Sequence, residues 1–235
     1  MIMESRNLPA LDDAPQQHPD PVRRAAGLIW PNLPVLIFGS ALAVLPLGLV
    51  RVLAPGLGIV GTTLLGCLFL LAVAPLLRTA MVLLAGDHRG LGGLLRGLGR
   101  DLWTALPVAA PPALAGALTA VAVQLWSTER LLWLVGSAAA GGAVTLISLV
   151  IMVVALPYRL LSGCSAKDAW LVGLYATTRR PVPVIAVLCA AGLLGSVLPA
   201  VSLALGFLAL GPLALLWAAA ATTVLDHGRR LLDRR

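Results

Sequence analysis

Charge is scarce in this sequence. Of its 235 residues 11% are charged and 59% are hydrophobic, whereas a soluble domain carries roughly 25% charged residues. With a mean hydropathy of +0.95, that excludes an ordinary water-soluble fold, whose interior could not hide several long uncharged runs in succession. Lysine is nearly missing: Lys167 is the single one, and arginine supplies the rest of the 17 basic residues, which against 10 acids leave a net charge of +7. In water that balance would raise nucleic-acid binding; in lipid it reports sidedness first, and no nucleic-acid partner is expected. Cysteine is down to Cys67, Cys164 and Cys189, an odd number with two inside apolar runs, so no disulfide framework is expected. An early apolar leader is missing too. Residues 1–27 hold Glu4, Asp12, Asp13 and Asp20 and read as a disordered cytoplasmic tail rather than a cleavable signal.

Catalytic vocabulary is equally thin. The sequence has no phosphate-binding loop, no GxSxG elbow and no HExxH, and His18, His88 and His227 are scattered. The expectation is therefore no enzyme, no metal site and no cofactor. Every Asp, Glu, Lys and His is placed in a tail, a loop or a helix end, which leaves no titrating group at membrane depth to couple a gradient to movement.

What is present is apolar sequence in lengths near the roughly 20 residues that cross a bilayer. The windows run from about Pro31 to Val50, Leu57 to Leu77, Trp103 to Trp126 and Leu131 to Leu156, and an uncharged stretch from Val182 to Leu225 is long enough for two crossings. It must fold back, and Gly206-Phe207 or Gly211-Pro212 are the expected places. The fold class is thus all-α: a polytopic membrane protein of six transmembrane helices in three hairpins over residues 28–225, followed by a basic cytoplasmic C-terminus over 226–235. Fifteen of the 17 basic residues fall in the tail, the second and fourth loops and the C-terminus, leaving only Arg51 and Arg130 on the other side. The positive-inside rule then puts both ends in the cytoplasm.

The second and fourth loops resemble each other, with a spacing that suggests an internal repeat. One carries Leu91, Leu94, Leu95 and Leu98 with Arg89, Arg96 and Arg100; the other carries Trp170, Leu171, Leu174 and Tyr175 with Lys167, Asp168, Arg179 and Arg180. Each approximates a short amphipathic helix in the membrane surface, and together with Arg78 these charged residues are the candidate contacts for lipid headgroups or a partner. Apolar sequence continues past Arg78 through Leu84; the reading favoured is that the helix stops near Leu77 and Arg78 snorkels, the alternative being a longer helix in which it needs a partner. Trp30, Trp103, Trp126, Trp133 and Trp217 are expected as interfacial anchors. Small residues such as Gly116, Gly141, Gly142 and Thr145 suit close helix packing. Pro75, Pro111 and Pro112 are the candidate helix breaks, where freed carbonyls could line a polar path.

The run from Pro75 through Arg78 to Gly86, the run from Gly90 through Arg96, Arg100 and Asp101 to Trp103, Asn32 near the first helix and Leu156-Pro157-Tyr158 closing the fourth together resemble the YesL-type family of bacterial membrane proteins. The resemblance implies an accessory part in carbohydrate or solute uptake; with the missing catalytic motifs, the expectation is a bacterial inner-membrane protein without catalysis of its own, whose partners are the lipid bilayer and another membrane subunit or, in the next reading, a cytoplasmic ATPase. A second reading is an ABC-transporter permease with a degenerate coupling loop over residues 167–184, since Lys167-Asp168-Ala169 is followed by Gly173, although Pro181-Val-Pro-Val184 stands where such permeases carry I-x-L-P. A third is a structural or assembly subunit.

Overall fold

The computed structural model describes residues 21–53, 58–87, 90–201 and 203–232, and of these the side chains except at 21–22, 46–67, 132, 195–207 and 227–232. Among these residues the chain is helical throughout: α1 (Pro21–Ile29), α2 (Leu33–Leu53), α3 (Gly58–Leu84), α4 (Leu91–Glu129), α5 (Leu132–Ser162), α6 (Ala166–Arg179), α7 (Pro181–Val201) and α8 (Leu203–Leu232). Three of them, within Leu91–Glu129, Trp133–Ser162 and Leu208–Asp226, are long and apolar enough to cross a membrane, and up to five crossings result if each sharply bent helix pair is one span. This is an α-helical membrane protein.

Local chemistry ends each element. Gly86, at φ +91, closes α3 in a Schellman arrangement, with its N–H donated to Leu83 O and that of Asp87 to Val82 O. Gly163, at φ +64, closes α5, and two residues later Ser165 caps α6, accepting from the Asp168 N–H while donating to its carboxylate at 2.7 Å. The two sharp bends occur at prolines. α1 and α2 meet at 90° across Trp30-Pro31-Asn32, with the Asn32 side chain donating to Leu28 O at 3.0 Å. α6 and α7 meet at 102°, where Pro181 opens α7 and forces Arg180 out of the helical region to φ −140, ψ 79.

The core lies where α3, α5 and α8 meet, with α2, α4 and α6 packed around it. Residues 73–77 and 79–81 of α3, 151–157 of α5 and 213–215 of α8 are buried. Glycine permits the closest approaches: a Cβ on Gly173 would lie 2.9 Å from both Ile151 O and Ala155 Cβ, and one on Gly211 2.8 Å from Leu36 Cβ. One polar contact ties α5 to α8 inside this core. Pro157 has no N–H to offer Val153 O, its helical acceptor, and the Trp217 Nε1–H fills the vacancy at 2.6 Å. Trp217 is therefore a buried strut at 9% exposure, not the interfacial anchor expected of it. The other four tryptophans of that set are exposed.

Several further expectations need correction. Residues 21–27 are not part of a disordered tail: they form most of α1, whose Ala25 is buried, because an Ala-rich amphipathic turn finds a surface on α8. Residues 226–232, assigned to the C-terminal tail, continue α8. Neither Gly206-Phe207 nor Gly211-Pro212 interrupts the long uncharged stretch: both lie within α8, since in an apolar setting a helix tolerates glycine and proline when neighbours pack on them. The first amphipathic loop segment is no separate helix either. It is the start of α4, continuous to Glu129 despite its glycines, so that 39 residues form one rod about 58 Å long at 1.5 Å per residue.

Candidate functional site

The most unusual chemistry in the described residues is a buried ion pair between α3 and α4. α3 runs six residues beyond Arg78, so the helix does not stop at Leu77, and the side chain does not simply snorkel to the surface. It turns instead to the Asp101 carboxylate, which is 1% exposed, and donates a hydrogen bond and salt bridge through Nη1. Asp101 stands ten residues past the start of α4 and is not at a helix end, which corrects the expectation that all acids lie in loops or termini. Next to Arg78, the Thr79 hydroxyl donates to Pro75 O at 2.9 Å, so that turn of α3 carries its polar groups satisfied. Taking two charges out of water is costly, and their mutual attraction offsets this only when both remain; removing one strands the other. The pair therefore locks the C-terminal turns of α3 to the early turns of α4.

Beside the lock lies an apolar cavity of 420 Å³ between α2, α3 and α4, lined by Gly39, Leu42, Leu68, Leu71, Ala72, Pro75, Leu76, Leu94, Leu98, Leu102, Trp103 and Leu106. Pro75 thus lines an apolar hollow within a continuous helix, not a polar path, and Pro111 and Pro112 also sit inside an unbroken α4, the first exposed and the second buried. A proline removes one hydrogen bond and can bend a helix without ending it when neighbours support it. Arg96 and Arg100 are exposed on α4. Arg89 lies outside the described residues.

The second charged group is spread along α6. Lys167 and Asp168 are exposed at its start, with Asp168 engaged in the Ser165 cap; Arg179 and Arg180 are exposed at its far end, about 20 Å away, with the Arg179 guanidinium 5.3 Å from the Tyr175 ring centre. These four do not converge on one point. α6 buries Ala169, Gly173, Ala176 and Thr177 against α5 and turns Leu171, Leu174 and Tyr175 outward, so a helix with an exposed apolar face stands where the loop was expected to carry one. On α5 the Arg159 Nε and Nη1, and on α6 the Trp170 Nε1 and Thr177 Oγ1, are buried with no hydrogen-bond partner.

Asp101 is the site residue that sequence reasoning missed. The signal was there in Arg78: an arginine followed by six further apolar or small positions in the same run needs an acid, and Asp101 is the nearest one beyond the turn that is not beside a loop glycine. Among the described residues no group of three His, Cys, Asp or Glu side chains could hold a metal ion. No protein-family model, curated protein or solved structure matches the chain.

Proposed function

We propose that this chain is a non-enzymatic, six-span subunit of the bacterial inner membrane that assists solute uptake, carbohydrate uptake in particular, alongside another membrane component. In this reading α2, α3, α4, α5, α7 and α8 cross the bilayer, while α1 and α6 lie on its cytoplasmic face, as do both ends of the chain. The bends of 90° and 102° that separate α1 from α2 and α6 from α7 support the division into surface helices and spans. The arginine distribution supports the orientation, and the resemblance to YesL-type proteins supports the accessory role. The observation that carries the reading is the self-neutralised Arg78–Asp101 pair. A buried charge pair closed on itself and joining two helices suits a scaffold, whereas a carrier needs an ionisable group free to exchange its partner during the cycle.

Purification in mild detergent tests it, followed by reconstitution of the lone chain into liposomes. A second membrane protein should co-purify in constant ratio, and liposomes of the lone chain should take up no sugar above empty vesicles. Uptake by the lone chain would overturn the proposal. One observation favours a permease as the second reading: α6 is a short helix set across the end of a span, with Lys167, Asp168 and Leu171 on its outer side. A co-purifying cytoplasmic ATPase, lost on mutation of Leu171 and Leu174 to Ser, would select it.

A further inference from the structure

The hollow between α2, α3 and α4 is lined by apolar residues, and three of them, Leu68, Trp103 and Leu106, are 38%, 75% and 40% exposed, so it opens at the protein surface. In a membrane protein such an opening faces hydrocarbon. Arg96, Arg100 and Trp103 follow one another at spacings of four and three, so they share one stripe of α4, and all three are exposed. The helix therefore presents a line of two guanidinium groups ending in an indole, beside an apolar opening. Neither arginine has an acidic partner among the described residues, where Asp101 is already taken by Arg78. The shape narrows the occupant. A helix with its side chains is about 10–12 Å across, too thick for a cavity of 420 Å³, whereas a flexible hydrocarbon chain fits and requires no polar lining. Phosphate is the anion available at a bilayer surface, and guanidinium binds it through paired N–H donors.

We infer that this groove is a binding site for one anionic phospholipid, an acyl chain entering past Leu106 toward Ala72 and the phosphate held by Arg96 and Arg100, with Trp103 at the boundary between them. The site is independent of the accessory role, so either can fail while the other stands. Two measurements on the full-length protein test it. In the first, Leu106→p-benzoylphenylalanine is photolysed in cell membranes and the intact mass is read, with the same substitution at Leu118, an exposed position remote from the groove, as reference. A phospholipid adduct formed several times more efficiently at position 106 is expected; equal yields, or an adduct to a polypeptide, whether a second copy or another protein, would overturn the inference. In the second, native mass spectrometry compares dioleoylphosphatidylglycerol with dioleoylphosphatidylcholine. The anionic lipid should bind about thirtyfold more tightly, the amount two interfacial arginines supply, and the double variant R96Q/R100Q should abolish that preference. Ala72→Trp should remove the retained lipid of either headgroup, with Ala72→Leu as the gentler filling if the larger one does not yield a monodisperse protein. Equal affinity for the two lipids in the unaltered protein, or full retention in a folded Ala72 variant, would contradict the site.

Discussion

The two halves of the α4–α5 hairpin are built on different principles. Near the core, α4 buries Asp101, Ala105, Val108, Ala109 and Pro112, and α5 is buried continuously from Ile151 to Pro157, so this half is enclosed by other helices. Beyond it Leu114, Leu118, Leu146 and Ile147 are 58–64% exposed, and what joins the two helices there is small: Gly116 beside Thr145, Gly141 against Thr119, and the two threonine hydroxyls 3.5 Å apart. In water the outer half would be a liability, with its leucines exposed and its small residues inside. In lipid it is the expected order, since leucine gains nothing by leaving hydrocarbon and helices associate through close backbone approach. The inner half carries the specific polar contacts: Arg78 to Asp101, and the Trp217 N–H to the carbonyl that Pro157 leaves open.

That contrast can be broken most severely at the ion pair. Asp101→Ala strands a part-buried guanidinium and should cost about 3 kcal/mol of stability, while the double variant Arg78→Met with Asp101→Leu should recover most of it; thermal unfolding in detergent distinguishes the two, and a double variant as unstable as the single would show that the pair contributes more than charge balance. Next comes Trp217→Phe, which leaves Val153 O unsatisfied and should cost about 1–3 kcal/mol. Adding Pro157→Ala restores the helical donor and should return part of that loss, a coupling that is missing if Trp217 acts by packing alone. Glycine sharpens the comparison further. Gly173→Ala drives a methyl against the Ile151 carbonyl, which cannot move, and should cost about 1–3 kcal/mol; Gly141→Ala meets chiefly the rotatable Thr119 hydroxyl and should cost less. The smallest effect belongs to the outer surface: Leu118→Ala should shift stability by no more than about 0.5 kcal/mol, and a larger loss would mean that this face is covered by a partner.

Much of the architecture was legible in the sequence because apolar runs and their charged borders are long-range signals that lipid makes strict. Helix α6 was legible for a related reason, since Ser165, Asp168 and Pro181 punctuate both of its ends. At the start of α4 a short amphipathic helix was legible but its continuity into the span was not, because the glycines between 90 and 99 favour a break by propensity, and the packing of Leu94 against Gly39 overrides them. Asp101 was hidden by its neighbour: Arg100-Asp101 reads as a polar border, and only the helical phase sends one side chain outward and the other into the interior. Trp217 was misread for a similar reason, as its partner is a carbonyl made vacant by a proline 60 positions earlier, a relation that local pattern does not carry.

The account depends most on α4 crossing the membrane, because the ion pair, the groove and the hairpin all sit on it. Paired reporters inserted at residues 89 and 129, one active only inside the cell and the other only outside, measure this directly. The cytoplasmic signal should come from 89 and the external signal from 129; the same signal from both positions would contradict the account.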